Sequence, residues 1–143
     1  MSYDISHSTK NAIQYAKRSG TTDMWEATLE ESVPTYHVTG LNEPYLPVIL
    51  NNDSDNVNFL HRPFMPFEFA PQIKGKPMNT LLARDNRIFT EKSLYRDAAE
   101  SSRCLVKLDG FFATYKKDDL TFPYYVTMTT NEPFMVAGLW QKF

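Results

Sequence analysis

At 143 residues and 16.6 kDa, the chain is long enough to bury a substantial core as one domain, and its 42% hydrophobic and 14% aromatic content excludes intrinsic disorder. A net charge of −2 with a pI near 5.9 excludes indiscriminate, charge-driven binding to nucleic acid. The longest apolar runs, such as 134–139, fall far short of the roughly 18 residues that a membrane span needs.

Residues 1–20 are polar and carry no apolar signal-peptide core, so a soluble protein located in the cytoplasm is expected. Ala12, Ile13, Tyr15 and Ala16 recur at helical spacing, which predicts a helix over about 8–18 that Gly20 stops. A second short helix is predicted from Asp23, where Glu26 completes a capping-box-like pair ahead of Leu29, and Pro34 closes it.

The texture then changes to extended runs at 36–38 and 45–50, with turn-rich residues from Asn51 to Asp55 behind them. Pro63, Pro66 and Pro71 interrupt 59–76, which reads as an aromatic-rich loop, since proline cannot continue a helix or a central strand. An extended piece follows around 79–84, then a helix over about 90–101 carrying Leu94, Tyr95, Ala98 and Ala99 on one side. Strands are predicted at 103–108, 124–128 and 134–137, with Lys117, Asp118 and Asp119 at the turn of a hairpin. Short strands with two or three helices make an α+β domain.

Charge is unevenly spread. Residues 84–117 hold eight basic against five acidic side chains, while the remainder is acidic on balance. A modest basic face is consistent with that, as is a solvated mixture of charges. No phosphate loop, nucleophile elbow, zinc-protease motif or paired-cysteine motif is present. The lone Cys104, flanked by Leu105 and Val106, reads as a buried strand residue. His7, His37 and His61 are far apart in sequence and read as structural or surface histidines, and no metal or cofactor is expected.

Several segments together carry a family resemblance. Thr80-Leu81-Leu82-Ala83-Arg84, then Arg96-Asp97, then the run from Arg103 through Leu108, Asp109 and Gly110 to Phe112 are similar to the pattern T-L-N-A-R, F-R-D and R-C-L-V-x-A-D-G-F-Y-E-W. Downstream, Pro123-Tyr124-Tyr125-Val126 and the run from Pro133 to Trp140 resemble P-Y-Y-I and P-F-A-x-A-G-L-W. This is the pattern of the SRAP family. The resemblance implies a mostly antiparallel, barrel-like sheet with two or three flanking helices. It covers the N-terminal two-thirds of the family domain as a single unit over 1–143, incomplete at the C-terminus.

The resemblance also implies a chemistry. Family members look like proteins that expose an N-terminal cysteine, whose amine and thiol condense with the aldehyde of an abasic site in single-stranded DNA. Position 2 here is Ser2, whose hydroxyl is a far weaker trap than a thiolate. Leu82 stands where the family has an asparagine that hydrogen-bonds around the site, and Ala113 stands where it has a proton-handling glutamate. The family's W-G-L-I-P loop is unrecognisable in residues 61–66, and its H-D-R-M-P segment has no counterpart.

No intact catalytic set is therefore expected. One implied function is a non-catalytic module that still contacts single-stranded DNA, with Arg84, Arg87 and Arg103 on phosphates and aromatic rings on bases. The alternative is a structural or protein-interaction component, such as a viral or assembly protein, that reuses the fold as a homo-oligomer or with a protein partner. A third is an active crosslinking protein in altered form.

Overall fold

The computed structural model describes residues 4–7, 35–39, 45–61, 82–91 and 93–141. Eight strands and one helix lie within them: β1 (Asp4–His7), β2 (Thr35–Thr39), β3 (Tyr45–Leu50), β4 (Asp53–His61), α1 (Arg96–Ser101), β5 (Arg103–Leu108), β6 (Gly110–Lys117), β7 (Leu120–Thr127) and β8 (Phe134–Leu139). They form two four-stranded sheets of order β2-β1-β6-β7 and β4-β3-β5-β8. Every pairing is antiparallel.

Alternation along the strands builds the core between the sheets. Leu46, Val48 and Leu50 of β3 lie with Cys104 and Leu108 of β5 and with Ile5 of β1 in one buried cluster, and Val38, Phe111, Phe134 and Trp140 pack against it. Each fully buried aliphatic side chain there contributes about 2 kcal/mol. Phe111 meets Phe134 edge-on with ring centroids 6.4 Å apart, so the β6 and β8 contributions interlock across the two layers.

Between β5 and β6 the chain changes sheet over a single residue, Asp109, whose N–H donates to the Ser6 carbonyl at 3.0 Å. Gly110 follows, and a Cβ there would overlap the Tyr125 ring, so only glycine lets that ring lie across β6. The β6–β7 hairpin turns on Asp118 (φ 49°) and Asp119 (φ 64°), two consecutive left-handed residues closed by the Lys117–Leu120 pair, as a type I′ turn requires.

A second device ties the chain together at Asn51. Its Nδ2 donates to the Ser101 carbonyl at 3.0 Å, while its Oδ1 accepts from the Arg103 N–H and from Trp140 Nε1, both at 3.1 Å. One side chain thus joins the β3–β4 turn, the end of α1 and the residue that follows β8. Beside it, Asp53 accepts from the amides of Asn56 and Asn58, and these bonds hold its carboxyl below the usual range.

The structure corrects several expectations. The strands make two separate sheets rather than one barrel-like sheet, because β5 and β6 are consecutive yet pair in different sheets. The helix predicted over 90–101 is confined to Arg96–Ser101. Before it, backbone bonds from Arg87 to Arg84, Thr90 to Arg87, Ser93 to Thr90 and Arg96 to Ser93 make successive three-residue turns. The side chains of Asp85, Thr90 and Ser93 bond nearby backbone there and compete with a helix.

Strand β1 was not foreseen. Residues 59–61, expected to open a loop, complete β4, whose partner β3 extends the ladder to the Tyr45–His61 pair. Strands β7 and β8 are longer than predicted, reaching back to Leu120 and on to Leu139. The helices expected over 8–18 and from Asp23 lie outside the described residues, so the α+β expectation is met here only by α1 beside the sheets.

Candidate nucleic-acid interface

Arg84 and Arg87 are exposed and brought together by the first of the three-residue turns, in which the Arg87 N–H donates to the Arg84 carbonyl at 3.0 Å. That local fold follows from Asp85, whose carboxylate accepts from the Asn86 N–H at 2.7 Å and fixes the bend between the two guanidinium groups. Arg103 is also exposed but belongs to a different element. It opens β5, pairs with Leu139, and has its N–H held by Asn51.

Leu82 is half-buried in the irregular stretch before the turn, and Ala113 is half-buried on β6 opposite Tyr124. An isobutyl group and a methyl group can neither donate nor accept a proton. Ser2 lies outside the described residues. Cys104 is buried, and burial pushes its thiol up to about 11, so it is not available as a thiolate near neutral pH.

The sequence reading missed a buried polar cluster at the β1–β6 junction. Ser6, His7, Lys107 and Asp109 are all buried, and Lys107 Nζ stands 3.5 Å from Asp109 Oδ1. Burial, and then the charge of Lys107, lower the proton affinity of His7, while Asp109 opposes them. Burial likewise lowers that of Lys107, again with Asp109 opposing. On the same strand, the Ser6 hydroxyl and the Tyr125 hydroxyl share a hydrogen bond of 2.6 Å. The sequence carried no signal for it, because alternation along β5 places Lys107 with the exposed Arg103 and Leu105 rather than with the core residues Cys104 and Leu108.

His37 lies at the surface with its Nε2 3.6 Å from the Asp4 carboxylate and its ring edge-on to Phe112 at 4.8 Å. Phe112 in turn lies 5.0 Å from Tyr125. These rings form a short aromatic row across β2, β6 and β7, a surface of the kind on which bases stack. Among the described residues, no group of three acidic, histidine or cysteine side chains converges to hold a metal, and no helix is long and apolar enough to cross a membrane.

Two antiparallel four-stranded sheets, one tied at its end by Asn51 and the two joined through Asp109-Gly110, define the class of this protein by its fold: a two-layer β domain with an exposed basic turn and aromatic strands. Within that class the assignment is specific. The chain matches the SOS response associated peptidase (SRAP) family over residues 5–143, and it belongs to that family. It is similar to a crystal structure of a protein from Bacteroides thetaiotaomicron, with a TM-score of 0.73 and 29% sequence identity over 96% of this chain and 59% of that one. The chain therefore spans about three-fifths of the length of that solved protein. No curated protein matches it.

Proposed function

We propose that this chain is an SRAP module that holds single-stranded DNA reversibly and does not crosslink to abasic sites. Membership of the family supports the nucleic-acid partner. The observation that carries the loss of chemistry is the joint identity of three positions: Ser2, Leu82 and Ala113 in place of the family's cysteine, asparagine and glutamate. Ring closure on an aldehyde needs an amine to expel water and form the imine, and a thiolate to add to the imine carbon. A serine hydroxyl ionises far above neutral pH, and with a methyl group at position 113 no carboxylate there relays the proton.

In this reading Arg84, Arg87 and Arg103 contact phosphates, and the exposed rings contact bases. Three phosphate contacts on a single strand predict a slope of about −2 in a plot of log affinity against log salt. Fluorescence anisotropy of a labelled oligonucleotide over a salt series tests this. Each Arg→Ala substitution should flatten the slope by about 0.7, the share of one contact. Absence of binding even at low salt would remove the reading. A second reading, a protein-interaction role that reuses the fold, is favoured by the apolar surface of the β6–β7 hairpin.

A further inference from the structure

Backbone bonds tie residues 84–90 into two linked turns that share Arg87 as a corner. The Arg87 N–H donates to the Arg84 carbonyl at 3.0 Å, and the Thr90 N–H donates to the Arg87 carbonyl at 3.2 Å. The Thr90 hydroxyl donates to that same carbonyl at 2.9 Å and so closes the second turn twice. In the first turn Asp85 accepts from the Asn86 N–H at 2.7 Å. A turn of this kind brings the Cα atoms of its two ends within about 7 Å, so the long side chains of Arg84 and Arg87 can reach neighbouring phosphates of one strand.

The second turn sorts its two central residues by burial. Ile88 is half-buried and anchors the turn, whereas Phe89 beside it is 61% exposed. A phenyl ring two residues from a cationic corner supplies the two parts of a single-strand contact, a flat face for a base and a charge for the backbone. We propose that Phe89 stacks on an unpaired base of the strand whose phosphates Arg84 and Arg87 hold, an inference that rests on the single-strand-binding reading above. The two turns then act as one compact binding element. Their bonds fix the backbone before DNA arrives, so binding orders only side chains. Every base has a π-face, so the contact adds affinity without sequence preference.

Charge sets Phe89 apart from the other exposed rings. Residues 84–92 carry three basic side chains against two acidic ones, and one of the two, Asp85, is engaged by a backbone N–H. The row of His37, Phe112 and Tyr125 instead has the Asp4 carboxylate 3.6 Å from its histidine, where it repels a phosphate. At the tip of the β6–β7 hairpin Lys116 and Lys117 are matched by Asp118 and Asp119.

Fluorescence anisotropy of the full chain with a labelled mixed-sequence single strand, and with a matched strand of abasic sugar spacers, tests this. Phe89→Ala should weaken binding to the ordinary strand by about 5- to 100-fold and leave the salt slope unchanged, since the side chain carries no charge. Phe89→Leu should weaken it similarly, because it keeps an apolar side chain but has no π-face, and Phe89→Trp should bind like the wild type. All three should keep the wild-type circular dichroism spectrum and bind the spacer strand as the wild type does. A Phe89→Leu protein that binds as tightly as the wild type, a flattened salt slope in Phe89→Ala, or an equal loss on the spacer strand overturns the proposal and leaves the single-strand-binding reading standing. A wild type that binds neither strand at low salt overturns both.

Discussion

Replacing Asn51 with alanine removes three side-chain hydrogen bonds at once: the donation to Ser101 and the acceptance from Arg103 and Trp140. Each is worth about 0.5–1.5 kcal/mol net, and because this corner is solvent-accessible the lower half of the range applies, giving a loss of about 2 kcal/mol. At this chain length the loss lowers Tm by about 8 °C. Asn51→Asp keeps both acceptor roles but loses the donor to Ser101, one bond of the three, so it should lose about a third as much. Urea unfolding followed by far-UV circular dichroism measures the shift. Trp140→Phe should be less than additive with Asn51→Ala, because both remove the same bond. A shift for Asn51→Ala below about 0.5 kcal/mol would show that the corner is held by its backbone bonds alone.

Gly110→Ala should cost about 1–2 kcal/mol, because the new Cβ drives the Tyr125 ring aside and breaks its bond to Ser6; Tyr125→Ala should relieve much of that cost in the double variant, as read from urea midpoints. For His7, burial favours the neutral ring in the folded state, so the unfolded chain takes up its proton first as pH falls below the ordinary value of 6.5. Stability contributed here is level above that pH and is lost below it, and the difference in urea midpoint between wild type and His7→Gln should change over that window and be constant above it. Cys104 should react with a thiol reagent only slowly at neutral pH in the native protein and rapidly in urea, since it is buried with its thiol pushed up to about 11.

Where local chemistry and long-range pairing agree, the structure was legible in advance. Residues 103–108 form β5 as read, because an apolar run bounded by Ser102 and Asp109 has no competing periodicity. The Asp118-Asp119 turn was equally plain, since these residues tolerate the left-handed backbone of a tight hairpin. Strand β1 was not legible. Its four residues, Asp4 to His7, show little alternation and owe their extended form to Val38 and Phe111, their partners on either side.

The helix failed for a different reason. Residues 90–101 have the right apolar spacing, but Thr90 and Ser93 bond their own backbone and leave only the alanine-bearing end helical. Of the candidate site, the sequence could name Arg84, Arg87 and Arg103 and the departures at Leu82 and Ala113 one by one. It could not show that the first two arginines share a turn while Arg103 opens a strand clamped by Asn51. Nor could it place Lys107 beside Asp109, because burial of an ammonium group depends on packing from distant segments.

The central claim is that binding persists while covalent capture does not. Denaturing electrophoresis after incubation with matched single strands, one intact and one carrying an abasic site, tests it alongside anisotropy on the same pair. Comparable, salt-sensitive binding to both strands with no band surviving denaturation is the predicted result. A stable protein–DNA species formed only with the abasic strand, without added reductant and mapping to Ser2, would contradict the account.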